Sequence, residues 1–237
     1  MTFRDYLDGT KDLAVSCFFV VPLLLLYEVG IVAYGSELRN GAAVLVKTMF
    51  SLLGPRGIFV FNLLLFAVMA YAATRVLKRG KPVFALYVPM LLESALYAAI
   101  LPQAIQIVRG IVPGLSALSG SGTVDSEPWA VQVFLSVGAG VYEEALFRLG
   151  LLSLFAFVGE RALRMKPGAS KAASVVLASA LFSLFHHVGP LGEPLEANVF
   201  FFRFLAGVFL SALFTLRGFG VVVHTHALYD VFTFFLR

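Results

Sequence analysis

The chain has 237 residues, 59% of them hydrophobic and 14% charged, with a net charge of +4 and a mean hydropathy of +0.90. Soluble domains carry about 25% charged and about 45–50% apolar residues, so the composition excludes an ordinary soluble domain and points to a membrane protein. The basic excess is modest and sits in short loops, which argues against a nucleic-acid partner. A single cysteine, Cys17, excludes an internal disulfide.

A spanning helix needs about 20 mostly apolar residues. The first such run is 14–34. It contains Glu28 and lacks a small-residue cleavage site, so it reads as a span and not as a secretory leader. Segment 41–54 (GAAVLVKTMFSLLG) is short and contains Lys47; it reads as an interfacial or re-entrant helix, or as an eighth span. Spans follow at 56–77 and 82–108. The Gly/Ser-rich stretch 110–127 reads as a mobile loop outside the membrane. The remaining spans fall at 129–158, 172–190, 199–216 and 219–236. The pattern predicts an all-α fold, a polytopic membrane helix bundle of about seven transmembrane helices, or eight if 41–54 crosses. No long polar linker divides the chain, so residues 1–237 read as one integral-membrane domain.

Loop charges set the expected orientation. The turns 75–81 (RVLKRGK) and 160–171 (ERALRMKPGASK) carry four basic residues each, whereas 110–127 and 189–198 carry none. The positive-inside rule puts the first two in the cytoplasm and the other two outside. Seven spans then leave the N-terminus inside and the C-terminus outside.

Ionisable groups inside a bilayer cost at least ~2.5–3.5 kcal/mol each at a helix centre, so each needs a reason. The 129–158 span carries Glu143, Glu144 and Arg148. All four histidines fall in two spans, His186 and His187 in one and His224 and His226 in the other, the latter with Asp230. Glu144 and Arg148 are four apart, on one helix face with the acid first, the better order for an ion pair. Glu143 is rotated about 100° from its neighbour and can face elsewhere. Phe182 and His186 are also four apart, as are His226 and Asp230, and a carboxylate so placed can accept an imidazole N–H and fix its orientation.

Taken singly, these residues have plainer readings. Glu144–Arg148 is a structural ion pair, and a lone histidine is a packing residue. Glu28 and Glu93 are hydrogen-bonded structural groups or line a pore. Arg203 snorkels to the surface, and His187 and His224 are secondary to their neighbours. The set Glu143, His186, His226 and Asp230 is harder to explain as packing.

The segments EEALFR (143–148), FSLFH (182–186) and HALYD (226–230) fit the patterns EExxxR, FxxxH and HxxxN/D, in that order and on separate apolar spans. In this the chain resembles the CAAX protease and bacteriocin-processing (Abi) family of glutamate-type intramembrane endopeptidases, over about residues 129–236. The resemblance implies that this part is the catalytic core. By that resemblance Glu143 is the general base that activates water and His186 helps to hold it. His226 donates to the developing oxyanion with help from Asp230, while Glu144, Arg148 and Phe182 support the site. Many relatives have Asn where this chain has Asp230. An ionised aspartate would repel an oxyanion, so Asp230 is expected either to be protonated or to orient His226, and the second is preferred.

The resemblance further implies a membrane-associated peptide or protein substrate, no metal or other cofactor, and residence in the bilayer, in the plasma membrane if the source is prokaryotic. Two alternatives stay open. Two histidines and two carboxylates are a credible zinc set, although the H-E-x-x-H arrangement is absent. Intramembrane Glu/His/Asp chains also build proton relays, which leaves a proton-coupled transporter or a non-catalytic membrane partner. The sequence also leaves a geometric tension, since His186 falls near the outer end of its span while Glu143 and His226 fall near mid-membrane.

Overall fold

A computed structural model of the protein describes residues 2–35, 41–52, 54, 56–78, 83–111, 128–188 and 192–235. Among them every regular element is helical. The short amphipathic α1 (Phe3–Lys11) precedes α2 (Leu13–Tyr34), α3 (Gly41–Ser51) and α4 (Gly57–Lys78). A 3-10 turn, Val83–Leu86, leads into α5 (Tyr87–Ile111). Next comes one continuous helical rod: α6 (Trp129–Glu144), a π-helical stretch (Ala145–Leu152) and α7 (Ser153–Arg161). The chain closes with α8 (Pro167–Phe185), α9 (Ala197–Arg217) and α10 (Phe219–Phe235). The predicted loop over 110–127 lies outside the described residues from 112 on, as does part of the 75–81 turn.

Among the described residues, five helices are long and apolar enough to cross a membrane: Leu13–Tyr34, Phe59–Lys78, Phe84–Ile111, Pro167–Phe185 and Ala197–Arg217. The predicted spans 129–158 and 219–236 take other forms. The first is the rod interrupted by π geometry, and the second is α10, an apolar helix of 17 residues. Within segment 41–54, Gly41–Ser51 forms α3, a shorter apolar helix of 11 residues packed on α4 and α6. The outward faces carry Val32, Phe59, Phe66, Leu92 and Phe157. Apolar surface on this scale suits contact with lipid and not with water. The fold is an all-α polytopic bundle and the chain an integral membrane protein.

Local sequence explains the helix ends. The Thr2 hydroxyl accepts the Asp5 N–H while the Asp5 carboxylate accepts the Thr2 N–H, a reciprocal cap on α1. Asp12 caps α2 by accepting the Val15 N–H. Pro167 opens α8, where its missing N–H costs nothing. Between α9 and α10 the chain turns at Gly218 with φ +90°, a conformation that glycine adopts without strain.

α10 is the central helix. It packs against α2, α5, α6 and α9, and every residue from Phe219 to Ala227 is buried. A helix apolar all round belongs in such a position, and this one encloses His226. α8 meets its neighbours through a buried face of small residues, Ser170, Ser174, Ala178, Ser179 and Ser183. These permit close approach, and their hydroxyls bond backbone, as Ser183 does to the Phe200 carbonyl at 2.6 Å, or, for Ser179, the Ser211 hydroxyl of α9.

Where α6 crosses α10, an added Cβ on Gly140 would lie 2.8 Å from both the Ala227 Cβ and the Val223 carbonyl oxygen. Gly140→Ala should therefore force the two helices apart and cost about 1–3 kcal/mol. Thermal unfolding in detergent measures that loss.

Glu93 is held at the end of the bundle that carries the basic loops. It accepts from Arg217 Nη2 at 2.8 Å and from Arg217 Nε and the Tyr6 hydroxyl, and the Arg217 guanidinium lies over the Tyr6 ring. These bonds join α1, α5 and α9. Tyr6→Phe removes a hydrogen bond to a charged group, worth about 1.5–3 kcal/mol. It should loosen α1, read as faster protease cleavage within residues 3–11. Glu28 is structural as well: its Oε1 accepts from the Tyr142 hydroxyl at 2.7 Å and from Lys47 Nζ at 3.3 Å.

Candidate active site

The site is built on the rod, α8 and α10. Glu144, the last residue of α6, and Arg148, in the π stretch, are fully buried. Arg148 Nη1 donates to Glu144 Oε1 at 2.8 Å and Nη2 to the Gly207 carbonyl at 3.3 Å, while its guanidinium lies 4.3 Å from the centre of the Phe182 ring. The same Glu144 oxygen accepts from His226 Nδ1 at 2.7 Å. One carboxylate oxygen thus ties the arginine of its own helix to the imidazole of α10.

Glu143 faces the other way. Its Oε2 lies 3.7 Å from His186 Nε2 and 3.9 Å from His226 Nε2. Both rings are held from behind: His226 by Glu144, and His186 by its Nδ1–H donating to the Phe182 carbonyl at 2.8 Å. With Nδ1 engaged, each ring turns Nε2 towards the same carboxylate oxygen. Separations near 3.8 Å exceed a hydrogen bond and are the kind that a water can bridge.

Asp230 does not take the orienting position expected of it. Its Oδ2 stands 3.5 Å from His226 Nε2, beyond ordinary hydrogen-bond range and on the ring nitrogen that faces Glu143. The short bond to the imidazole comes from Glu144, on another helix. Spacing along α10 pointed to Asp230 because it reports neighbours within one helix only.

The offset expected between His186 and Glu143 is absent, since His186 Nε2 lies 3.7 Å from Glu143 Oε2; α8 ends at Phe185, not at 190. His186 is the first residue past the helix, and the chain then folds back over it. The Glu193 N–H donates to the His186 carbonyl at 2.9 Å, and His187 Nδ1 reaches the Glu193 and Pro194 carbonyls. Residues 189–191 of that connection lie outside the described residues. His224 stays out of the group, stacked on Phe19 with 3.8 Å between ring centres and bonded to the Gly220 carbonyl.

Arg203 does not end in a free, surface-directed head. Its Nη2 donates to Glu193 Oε1 at 2.8 Å, beside His186. Neither that pair nor the Gly207 carbonyl stood out in the sequence. Two charged residues ten positions apart, one of them in a loop, give no helical spacing to read. Glu28 and Glu93 lie outside the group, although Glu28 bonds Tyr142, the residue before Glu143. Among the described residues, no three or more His, Cys, Asp or Glu side chains come together so as to hold a metal ion.

The fold and the site define a class: a polytopic helical membrane protein with a buried glutamate–histidine centre drawn from three helices. Residues 125–232 match the family model described as type II CAAX prenyl endopeptidase, Rce1-like, and the resemblance carried by the three motifs holds over that part of the chain. The matched stretch contains Glu143, Glu144, Arg148, Phe182, His186, His226 and Asp230, and the family is one of endopeptidases. Neither a curated protein nor a solved structure matches the chain.

Proposed function

We propose that the chain is a glutamate-type intramembrane endopeptidase. In this reading it hydrolyses a peptide bond of a membrane-associated peptide or protein near its C-terminus, without a metal, in the plasma membrane if the source is prokaryotic. The observation that carries the reading is the convergence of two imidazoles, each fixed at Nδ1, on the single oxygen Glu143 Oε2.

In the reaction a water lies between Glu143 and His186. Glu143 takes its proton as the oxygen attacks the scissile carbonyl, and His186 Nε2 accepts from the remaining O–H and keeps it aimed. Charge builds on the carbonyl oxygen, where His226 Nε2–H donates to it while Glu144 holds the imidazolium at Nδ1. Glu143 then returns the proton to the leaving amine, the C–N bond breaks, and a carboxylate and an amine depart. Asp230 stands beside Nε2, 3.5 Å away, on the side from which the substrate carbonyl approaches. Arg148 acts through Glu144, as a positioning residue.

The test is a mass-spectrometric comparison of membrane-proteome C-termini from cells carrying wild-type protein or Glu143→Gln at matched levels. A truncated end that disappears in the variant supports the reading and identifies the substrate. Unchanged C-termini, together with proton flux through liposomes that depends on Glu143, would replace it with a transporter. Activity lost on chelation and restored by zinc, with zinc found by elemental analysis, would overturn the metal-free chemistry.

A further inference from the structure

Exposure shows where the site opens. The side chains of His186 and Asp230 are 23% and 31% exposed, against 5% for Glu143 and 7% for His226. Approach therefore runs past His186 and Asp230, at the end of the bundle remote from the loop between α7 and α8. Arg203, on α9, stands at that rim: it donates to Glu193, whose N–H donates to the His186 carbonyl at 2.9 Å.

Its guanidinium is half used. Nη2 donates to Glu193 Oε1, and Nη1 is buried with no hydrogen-bond partner among the described residues. A buried donor left unbonded is costly, and a planar fork with one free arm matches a carboxylate. Glu193, whose side chain is 40% exposed, can turn to water and release the other arm. Elsewhere the site presents the carboxylates of Glu143 and Asp230, which repel an anion, while Glu144 is fully buried against Arg148 and His226. Arg148 is enclosed and engaged by Glu144.

We propose that Arg203 is a specificity residue that receives a carboxylate of the substrate at the rim, with Glu193 holding its place in the empty protein. The proposal rests on the endopeptidase reading and gives it a recognition element, a substrate carboxylate held by Arg203. That carboxylate is either the substrate's C-terminus or an Asp or Glu side chain.

The test uses the full chain in lipid nanodiscs and synthetic peptide pools made as C-terminal acids and C-terminal amides, each with and without Asp and Glu. Binding is measured on the Glu143→Gln background, cleavage on the otherwise wild-type chain. The acid pools should be preferred over the amides by about 10- to 100-fold, the worth of one charge-assisted pair. Arg203→Gln should erase that preference, and Arg203→Lys should keep only part of it. Glu193→Gln should raise affinity for the acids, which a merely structural ion pair would not do. Preference that follows internal Asp or Glu instead of the terminus identifies the side chain as the source. Binding of the amide pools by Arg203→Gln, with an unchanged size-exclusion profile, establishes that this variant is folded.

An acid preference that survives Arg203→Gln, equal treatment of all pools, or no binding of any pool overturns the proposal. Arg203-dependent preference without cleavage would leave the proposal standing and remove the endopeptidase reading. Cleavage without preference would do the reverse.

Discussion

Glu143→Gln should lower peptide hydrolysis by at least about 10²–10⁴-fold, the usual contribution of a positioned general base, while the protein stays folded. The substitution keeps the shape of the side chain and removes its capacity to take a proton. The bonds from Arg148 and His226 both end on Glu144, so a neutral amide at position 143 leaves that linkage between the helices in place. The measurement is a cleavage rate on a substrate identified by C-terminal mass spectrometry, paired with a thermal unfolding midpoint. A variant that cleaved at the normal rate would exclude Glu143 as the base. A variant that unfolded would show that the residue holds the bundle together instead.

The second large effect is on stability. Arg148→Ala should cost about 3–5 kcal/mol, since removing one member of a buried ion pair leaves the other charge uncompensated. Here the loss includes the bond to the Gly207 carbonyl and the contact with the Phe182 ring. Activity should fall with it, because a Glu144 freed of Arg148 no longer fixes His226. Arg148→Lys is not a mild change: a point-like ammonium cannot serve the carboxylate and the carbonyl as the planar guanidinium does. Thermal unfolding of the three proteins in the same detergent tests the order wild type, Lys, Ala. Equal midpoints for wild type and Ala would mean that the pair adds nothing to the fold.

Much of this was readable along single helices. The four-residue spacing of Glu144 and Arg148, and of Phe182 and His186, translated directly into contacts, and the apolar runs marked the helices that could cross a membrane. What lay between helices was not readable. The bond from His226 to Glu144 joins residues 82 positions apart and depends on how α10 is rotated against α6, which hydropathy does not report. The end of α8 was misjudged because an apolar window centres on a run. The helix itself begins earlier, at Pro167, and stops at Phe185, so His186 lies in the turn just past its end, with Nε2 3.7 Å from Glu143 Oε2. Glu28 and Glu93 found partners on α3, α6, α9 and α1 for the same reason: a polar residue in an apolar helix signals a need, not the element that meets it.

The double use of the Glu144 oxygen sets stability against activity. Exchanging a buried polar cluster for apolar residues of like volume often stabilises a protein by about 1–4 kcal/mol. A chain selected only for robustness would thus drift towards Met or Leu at 144 and 148. Such a protein would melt later and lose the aim of His226 entirely. On the endopeptidase reading, the acid, the arginine and the imidazole mark a place where the fold has given up hardiness for chemistry, and improvement of this protein by stability selection alone should silence it first at Glu144.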